Sequence, residues 1–144
     1  MFKRFLPFGG KKDVAPSFSI LVVSDDAATS TLVSQTLSEN GYEIYAAASI
    51  INALETLKTM QTPHLIIGDF LTPQIDGVEF LTRASIHIGK STLPPVLFLV
   101  DTKEDETAAR TVGAQELMAK PVDATALLAL VEKMLTQSKA ATAK

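Results

Sequence analysis

The chain contains no cysteine and no tryptophan, and only two histidines, His64 and His87. Without cysteine there are no disulfides, thiolate zinc sites or thiol nucleophiles. Two histidines cannot build a multi-histidine metal centre. No apolar run approaches the length of a membrane span, and the first residues lack the continuous apolar core of a signal peptide. A cytoplasmic location is therefore the expectation. Nor is there an excess of positive charge. The whole chain carries −3 while Lys3, Arg4, Lys11 and Lys12 put +4 into the first twelve residues, leaving −7 on the rest. An acidic domain of that kind does not read as a direct nucleic-acid binder.

What is present is apolar and regularly spaced. The 144 residues, 47% of them hydrophobic, suit one domain with a real core. Residues 1–17 read as a flexible leader punctuated by Pro7, Gly9-Gly10 and Pro16. Phe2, Phe5 and Phe8 beside Lys3 and Arg4 are its one peculiarity. An aromatic-basic segment can touch an anionic membrane or a partner groove. From Phe18 onward, strand-like and helix-like patterns alternate. Ile20–Val23, Tyr42–Ala46, Leu65–Gly68, Val96–Val100 and Glu116–Ala119 read as strands. Three of these are apolar on both faces, as buried parallel strands are.

Between them, Ala28–Asn40 stops at Gly41, and Ser49 can cap a helix striped by Ile50, Ala53, Leu54 and Leu57. Val78, Leu81 and Ala84 form a third stripe. Lys103–Val112 has acidic residues at its start, a thin apolar stripe and Gly113 as its stop, so it is weakly anchored. Asp123 can cap a final helix carrying Leu127, Leu128, Val131 and Leu135. Alternation of five strands and five helices predicts an α/β three-layer sandwich over residues 18–138, with a short tail at 139–144.

The chemistry-bearing residues stand where strands end. Leu65-Ile66-Ile67-Gly68 runs into Asp69, Ile20-Leu21-Val22-Val23 into Ser24-Asp25-Asp26, and Glu116-Leu117-Met118-Ala119 into Lys120-Pro121. Adjacent parallel strands would bring two or three carboxylates and one ammonium to a single rim, where α/β proteins place their sites. That set suits a divalent cation and phosphoryl transfer. Asp25 or Asp26 could instead cap the first helix, and Asp76-Gly77 reads as an ordinary turn pair. His64 reads as a surface residue.

In these residues the chain resembles the receiver domain of bacterial two-component response regulators. The landmarks are Val22-Val23-Ser24-Asp25-Asp26, Asp69 with Pro73 and Asp76-Gly77, Pro95-Val96-Leu97, and Lys120-Pro121. The resemblance implies a flavodoxin-like sheet of order 2-1-3-4-5 with Asp69 as phosphoacceptor. It also implies Lys120 on the phosphoryl oxygens, and magnesium held by Asp25, Asp69 and the Leu71 carbonyl, with Asp26 as a further candidate. A histidine kinase or phosphotransfer protein would be the donor, and a downstream protein would meet the 103–135 face. The chain would act as a stand-alone domain, a monomer or weak homodimer, and not as a turnover enzyme.

Three positions depart from the family pattern. Ser24 replaces the first pocket acid and brings no charge, although its hydroxyl could hold a metal-bound water. Val100 stands where a serine or threonine hydroxyl is expected, and Thr102 could substitute only if the strand slipped by two residues. Leu117 replaces an aromatic switch residue, and Asp101 adds negative charge nearby. These departures support the alternative of a phosphorylation-independent interaction module. A metal-dependent phosphohydrolase fits poorly, since Leu71 holds the place where such enzymes carry a second acid.

Overall fold

In the computed structural model, residues 18–60, 62–89, 93–112 and 114–143 are described, with side chains to residue 136. The leader and Gly113 lie outside the described residues. The chain alternates strictly: β1 (Ser19–Val23), α1 (Ala27–Ser38), β2 (Glu43–Ala47), α2 (Ile50–Thr59) and β3 (Leu65–Asp69) come first. α3 (Gly77–Ile88), β4 (Val96–Val100), α4 (Lys103–Thr111), β5 (Glu116–Ala119) and α5 (Ala124–Ala143) follow. The strands form one parallel sheet of order β2-β1-β3-β4-β5, the order that the receiver resemblance implies.

The apolar runs of the central strands explain the three layers. Side chains alternate between faces with a period of two. Leu21, Val23, Ile66, Val96, Phe98 and Val100 face one way and pack on Ala53, Leu57, Phe80, Ala84 and Ala109 of α2, α3 and α4. Ile20, Val22, Leu65, Ile67, Leu97 and Leu99 face the other way, onto Val33 and Leu37 of α1 and Leu127, Val131, Met134 and Leu135 of α5. A strand wetted on neither face is stable only when helices cover both.

Caps set the helix starts. Asp26, Ser49, Asp76 and Thr102 each accept backbone N–H groups in the first turn of α1, α2, α3 and α4. Asp123 accepts the Ala126 N–H at 2.8 Å at the head of α5. The third stripe differs from the sequence expectation by a change of phase. Gly77, Phe80 and Ala84 are the buried residues of α3, Leu81 packs at the core margin, and Val78 is 38% exposed. The large Phe80 ring takes the inward position that the Val78 series would have claimed. Gly77 is also more than a turn residue. A Cβ there would lie 2.7 Å from the Phe98 ring and 2.8 Å from the Phe70 carbonyl oxygen. Only glycine lets the head of α3 approach so closely.

The expected tail is helical: the α5 backbone continues to Ala143. Lys139-Ala140-Ala141-Thr142-Ala143 holds three alanines and no breaker, so propensity favours continuing the helix. α4 keeps its thin anchorage, with Ala109 as its one buried residue. Among the described residues, no helix is long and apolar enough to cross a membrane.

Candidate functional site

Register gathers the strand-end residues. Val23 pairs with Gly68, Asp69 with Leu99, and Val100 with Ala119. The next residues along β1, β4 and β5 therefore emerge beside Asp69 at the carboxyl edge of the sheet. The Lys120 N–H donates to the Val100 carbonyl at 2.9 Å, which continues the β5 ladder into the loop. The Lys120–Pro121 bond is cis.

Asp69 is 1% exposed. Lys120 Nζ lies 2.8 Å from its Oδ1. That contact is an ion pair by distance but lacks the direction of a hydrogen bond, and Oδ2 has no hydrogen-bond donor. The contact acts as a charge pair, which needs proximity more than angle. Burial alone would pull the Lys120 ammonium below its ordinary pKa. The close Asp69 carboxylate, with the charges of Asp101 and Asp26, outweighs burial and leaves it raised. Lys120 is therefore a fixed cation at neutral pH.

The three residues of the β1–α1 loop take different parts. Asp26 is the cap of α1: its Oδ1 accepts the Ala28 N–H at 3.2 Å and its Oδ2 the Thr29 hydroxyl at 2.6 Å. The Thr29 bond is the main cause of its lowered pKa. Asp26 is thus turned toward its own helix, and its charge reaches Lys120 only at a distance. Ser24 is 3% exposed and folds back on the loop. Its Oγ accepts the Asp26 N–H at 3.2 Å and lies 3.4 Å from the Asp26 carbonyl oxygen. The hydroxyl expected to face a metal-bound water is occupied within the turn. Asp25 is half-buried and accepts the Thr72 hydroxyl at 3.0 Å on Oδ2.

The β3–α3 loop is a small hairpin-like turn. Thr72 N–H donates to Ile75 O and Gly77 N–H to Phe70 O, flanking the Leu71–Asp76 bridge. Neither bond uses the Leu71 carbonyl. The Leu71 side chain is 49% exposed at the rim.

At the departures from the pattern, the register is decisive. β4 is not slipped, and Val100 ends it with 2% exposure. Thr102 Oγ1 accepts the Asp105 N–H at 3.0 Å as the cap of α4. With β4 in register, it lies two residues beyond the place of the missing hydroxyl, which Val100 holds. Asp101 is exposed at the rim, and Leu117 packs against the α2–α3–α4 core from β5. His64 lies at the opposite edge, where its Nδ1 accepts the Ser19 N–H at 3.0 Å and Phe18 meets its ring edge-on.

The response regulator receiver domain family matches the chain over residues 20–132. The chain belongs to that family. Among curated proteins it is 33% identical over 115 residues to an uncharacterized 14.6 kDa protein of Leptolyngbya boryana, covering 79% of this chain and 87% of that one. It is 30% identical over 124 residues to the alkaline phosphatase synthesis transcriptional regulatory protein PhoP of Bacillus subtilis. That match takes in 85% of this chain and spans 50% of PhoP. Among solved structures, the Vibrio cholerae chemotaxis response regulator CheY4 aligns with a TM-score of 0.73 and 26% identity, over 83% of this chain and 99% of its own. A putative response regulator of Chloroflexus aurantiacus aligns at 0.74 and 29%, over 84% and 99%.

Receiver domains bind magnesium at the phosphorylation site, and the donors of this receiver fit that ion. Asp69 Oδ2 is a buried carboxylate oxygen without a donor, and Asp25 and the Leu71 carbonyl add hard oxygens. Among the described residues, no group of three or more Asp, Glu, His or Cys could hold a metal. Magnesium tolerates this because it keeps several waters and needs only one or two carboxylates. Thr72 is the residue that sequence reasoning missed. It stands between Asp69 and Pro73, but no spacing rule links it to Asp25, 47 positions away.

Proposed function

We propose that this receiver domain accepts a phosphoryl group on Asp69 from a histidine kinase or phosphotransfer protein and signals through protein contacts. The observation that carries the reading is the Asp69 carboxylate. It is fully buried, neutralised on Oδ1 by Lys120 and bare on Oδ2. A buried charge with one oxygen unpaired costs stability, and it persists most simply where a ligand or reaction uses it.

Oδ2 is the nucleophile. Its lone pair attacks phosphorus in line as the bond from phosphorus to the donor atom breaks, and the donor leaves with that electron pair. Lys120 lies close enough to neutralise charge gathering on the phosphoryl oxygens, and its raised pKa keeps it protonated throughout. Asp25 and the Leu71 carbonyl would hold magnesium beside Asp69, which supplies the largest share of charge neutralisation. Both oxygens of Asp69 are out of solvent, so a donor reaches Oδ2 only after a rim side chain moves. The product is one aspartyl phosphate per chain, without turnover.

The test is intact mass after acetyl phosphate with magnesium. The wild type gains one phosphoryl group and Asp69→Asn gains none. A folded wild type that gains nothing overturns the reading.

A second reading has its own observations: Val100 lacks a hydroxyl, Thr102 is occupied as a cap and Leu117 is not aromatic. On it, the 103–135 face engages a partner regardless of phosphorylation. Amide shifts on phosphorylation that stop at residues 69–77, sparing α4 and β5, favour this reading. Shifts that reach α4 and β5 defeat it.

A further inference from the structure

Two hydroxyls hold the loop around Asp25, and one of them bonds the carboxylate itself. Thr72 Oγ1 donates to Asp25 Oδ2 at 3.0 Å while accepting the N–H groups of Gln74 at 3.2 Å and Ile75 at 2.9 Å. A threonine hydroxyl has one proton and two lone pairs, so its whole capacity is used. The two accepted bonds would by themselves shape the turn over residues 72–76. The donated bond adds nothing to that turn. It reaches across to another loop and stops the rotation of a half-buried carboxylate.

We propose that Thr72 is a positioning residue for Asp25 and links cation binding there to the turn at residues 72–76. The inference rests on the phosphoacceptor reading above, in which Asp25 is a magnesium ligand. A carboxylate restrained through one oxygen presents the other at a defined angle, so less orientational freedom is lost when a cation binds. Partners that orient metal ligands in this way raise affinity about 10–100-fold. The restraint matters more here than in a pocket with two acids. Ser24 brings no charge and is folded into its own turn, leaving Asp25 as the one carboxylate that β1 sends to the cation. Because the same hydroxyl holds Gln74 and Ile75, a cation that fixes Asp25 also quiets the turn leading into α3.

The experiment titrates magnesium chloride into the full chain and its Thr72→Val and Thr72→Ser variants, followed by two-dimensional amide NMR. Unchanged β1 and β4 amides verify the fold of each variant. Thr72→Ser should keep its affinity within about twofold of the wild type, whereas Thr72→Val should bind about tenfold more weakly. Magnesium should slow solvent exchange of the Gln74 and Ile75 amides in the wild type and leave them unchanged in Thr72→Val. A purely packing role predicts the reverse order, because valine keeps the shape of threonine and serine does not. That order overturns the proposal. So does a Thr72→Val chain whose turn exchanges faster while its magnesium affinity stays unchanged. A wild type without any magnesium response overturns the phosphoacceptor reading and this inference together. A wild type that responds, beside an equally responsive Thr72→Val, overturns the inference alone.

Discussion

Replacing Lys120 by methionine isolates the strongest interaction in the site. The substitution keeps the length of the apolar stem and removes the ammonium 2.8 Å from Asp69 Oδ1. Asp69 would then be a carboxylate with no exposed side-chain surface and no donor on either oxygen. Breaking a buried pair by removing one partner typically costs about 3–5 kcal/mol. Lys120 is itself 15% exposed, so the lower end, about 3 kcal/mol, is expected. Asp69→Asn should cost far less, about 1 kcal/mol or under, because the bereaved partner can reach solvent. The double variant should resemble Asp69→Asn, giving a coupling of about 2–3 kcal/mol. Urea unfolding at neutral pH measures all four chains. Alkaline pH supplies a second readout. The folded-state pKa of Lys120 is raised above its ordinary 10.5. Its contribution to stability is therefore whole below that value and lost as pH rises through the folded pKa. The wild type should lose stability on this limb more steeply than Lys120→Met. The reasoning fails if Lys120→Met unfolds within about 1 kcal/mol of the wild type, or if the double variant is as unstable as Lys120→Met.

Two glycines should respond oppositely to alanine. Gly77→Ala drives a Cβ into the Phe98 ring and the Phe70 carbonyl and should cost about 1–3 kcal/mol. Gly68→Ala meets only ordinary contacts at 3.5 Å with Val23 and should be neutral or stabilising by up to about 1 kcal/mol. Thermal unfolding of the two variants checks both, and a lowered Tm for Gly68→Ala would show that its space is used. Val100→Thr should cost about 1–2 kcal/mol in the resting state, because it puts a hydroxyl where the valine is 2% exposed. On the phosphoacceptor reading, that deficit should shrink after acetyl phosphate treatment, as the hydroxyl gains a phosphoryl oxygen. A deficit that stays constant counts against a phosphoryl group near Val100.

Much of the fold was legible because burial on both faces leaves a plain signal. Leu65-Ile66-Ile67 and Val96-Leu97-Phe98-Leu99-Val100 admit few arrangements other than central parallel strands between helix layers. Phase was harder to read in α3. Val78, Leu81 and Ala84 fit helical spacing as well as Gly77, Phe80 and Ala84 do. Only packing against Phe98 selects between them. The continuation of α5 through the expected tail at 139–144 was hidden for a related reason. A polar, alanine-rich segment carries no apolar stripe to read, whereas helix propensity favours its continuation to Ala143.

The site divides the same way. Strand-end placement pointed to Asp69, Lys120 and the Asp25-Asp26 pair, because a charged residue after an apolar run must stand at the mouth of a sheet, and the receiver resemblance singled out Asp25. Sequence could not decide what each hydroxyl and carboxylate does once there. Asp25 and Asp26 are adjacent and chemically identical, but backbone direction turns Asp26 onto its own helix and Asp25 toward Thr72. Ser24 and Thr102 both looked available and are both occupied by local backbone N–H groups. Hydrophobic pattern is a property of each segment and survives in one dimension. A hydrogen bond between residues 47 positions apart exists only once two loops are brought together, and there the tertiary structure alone decides.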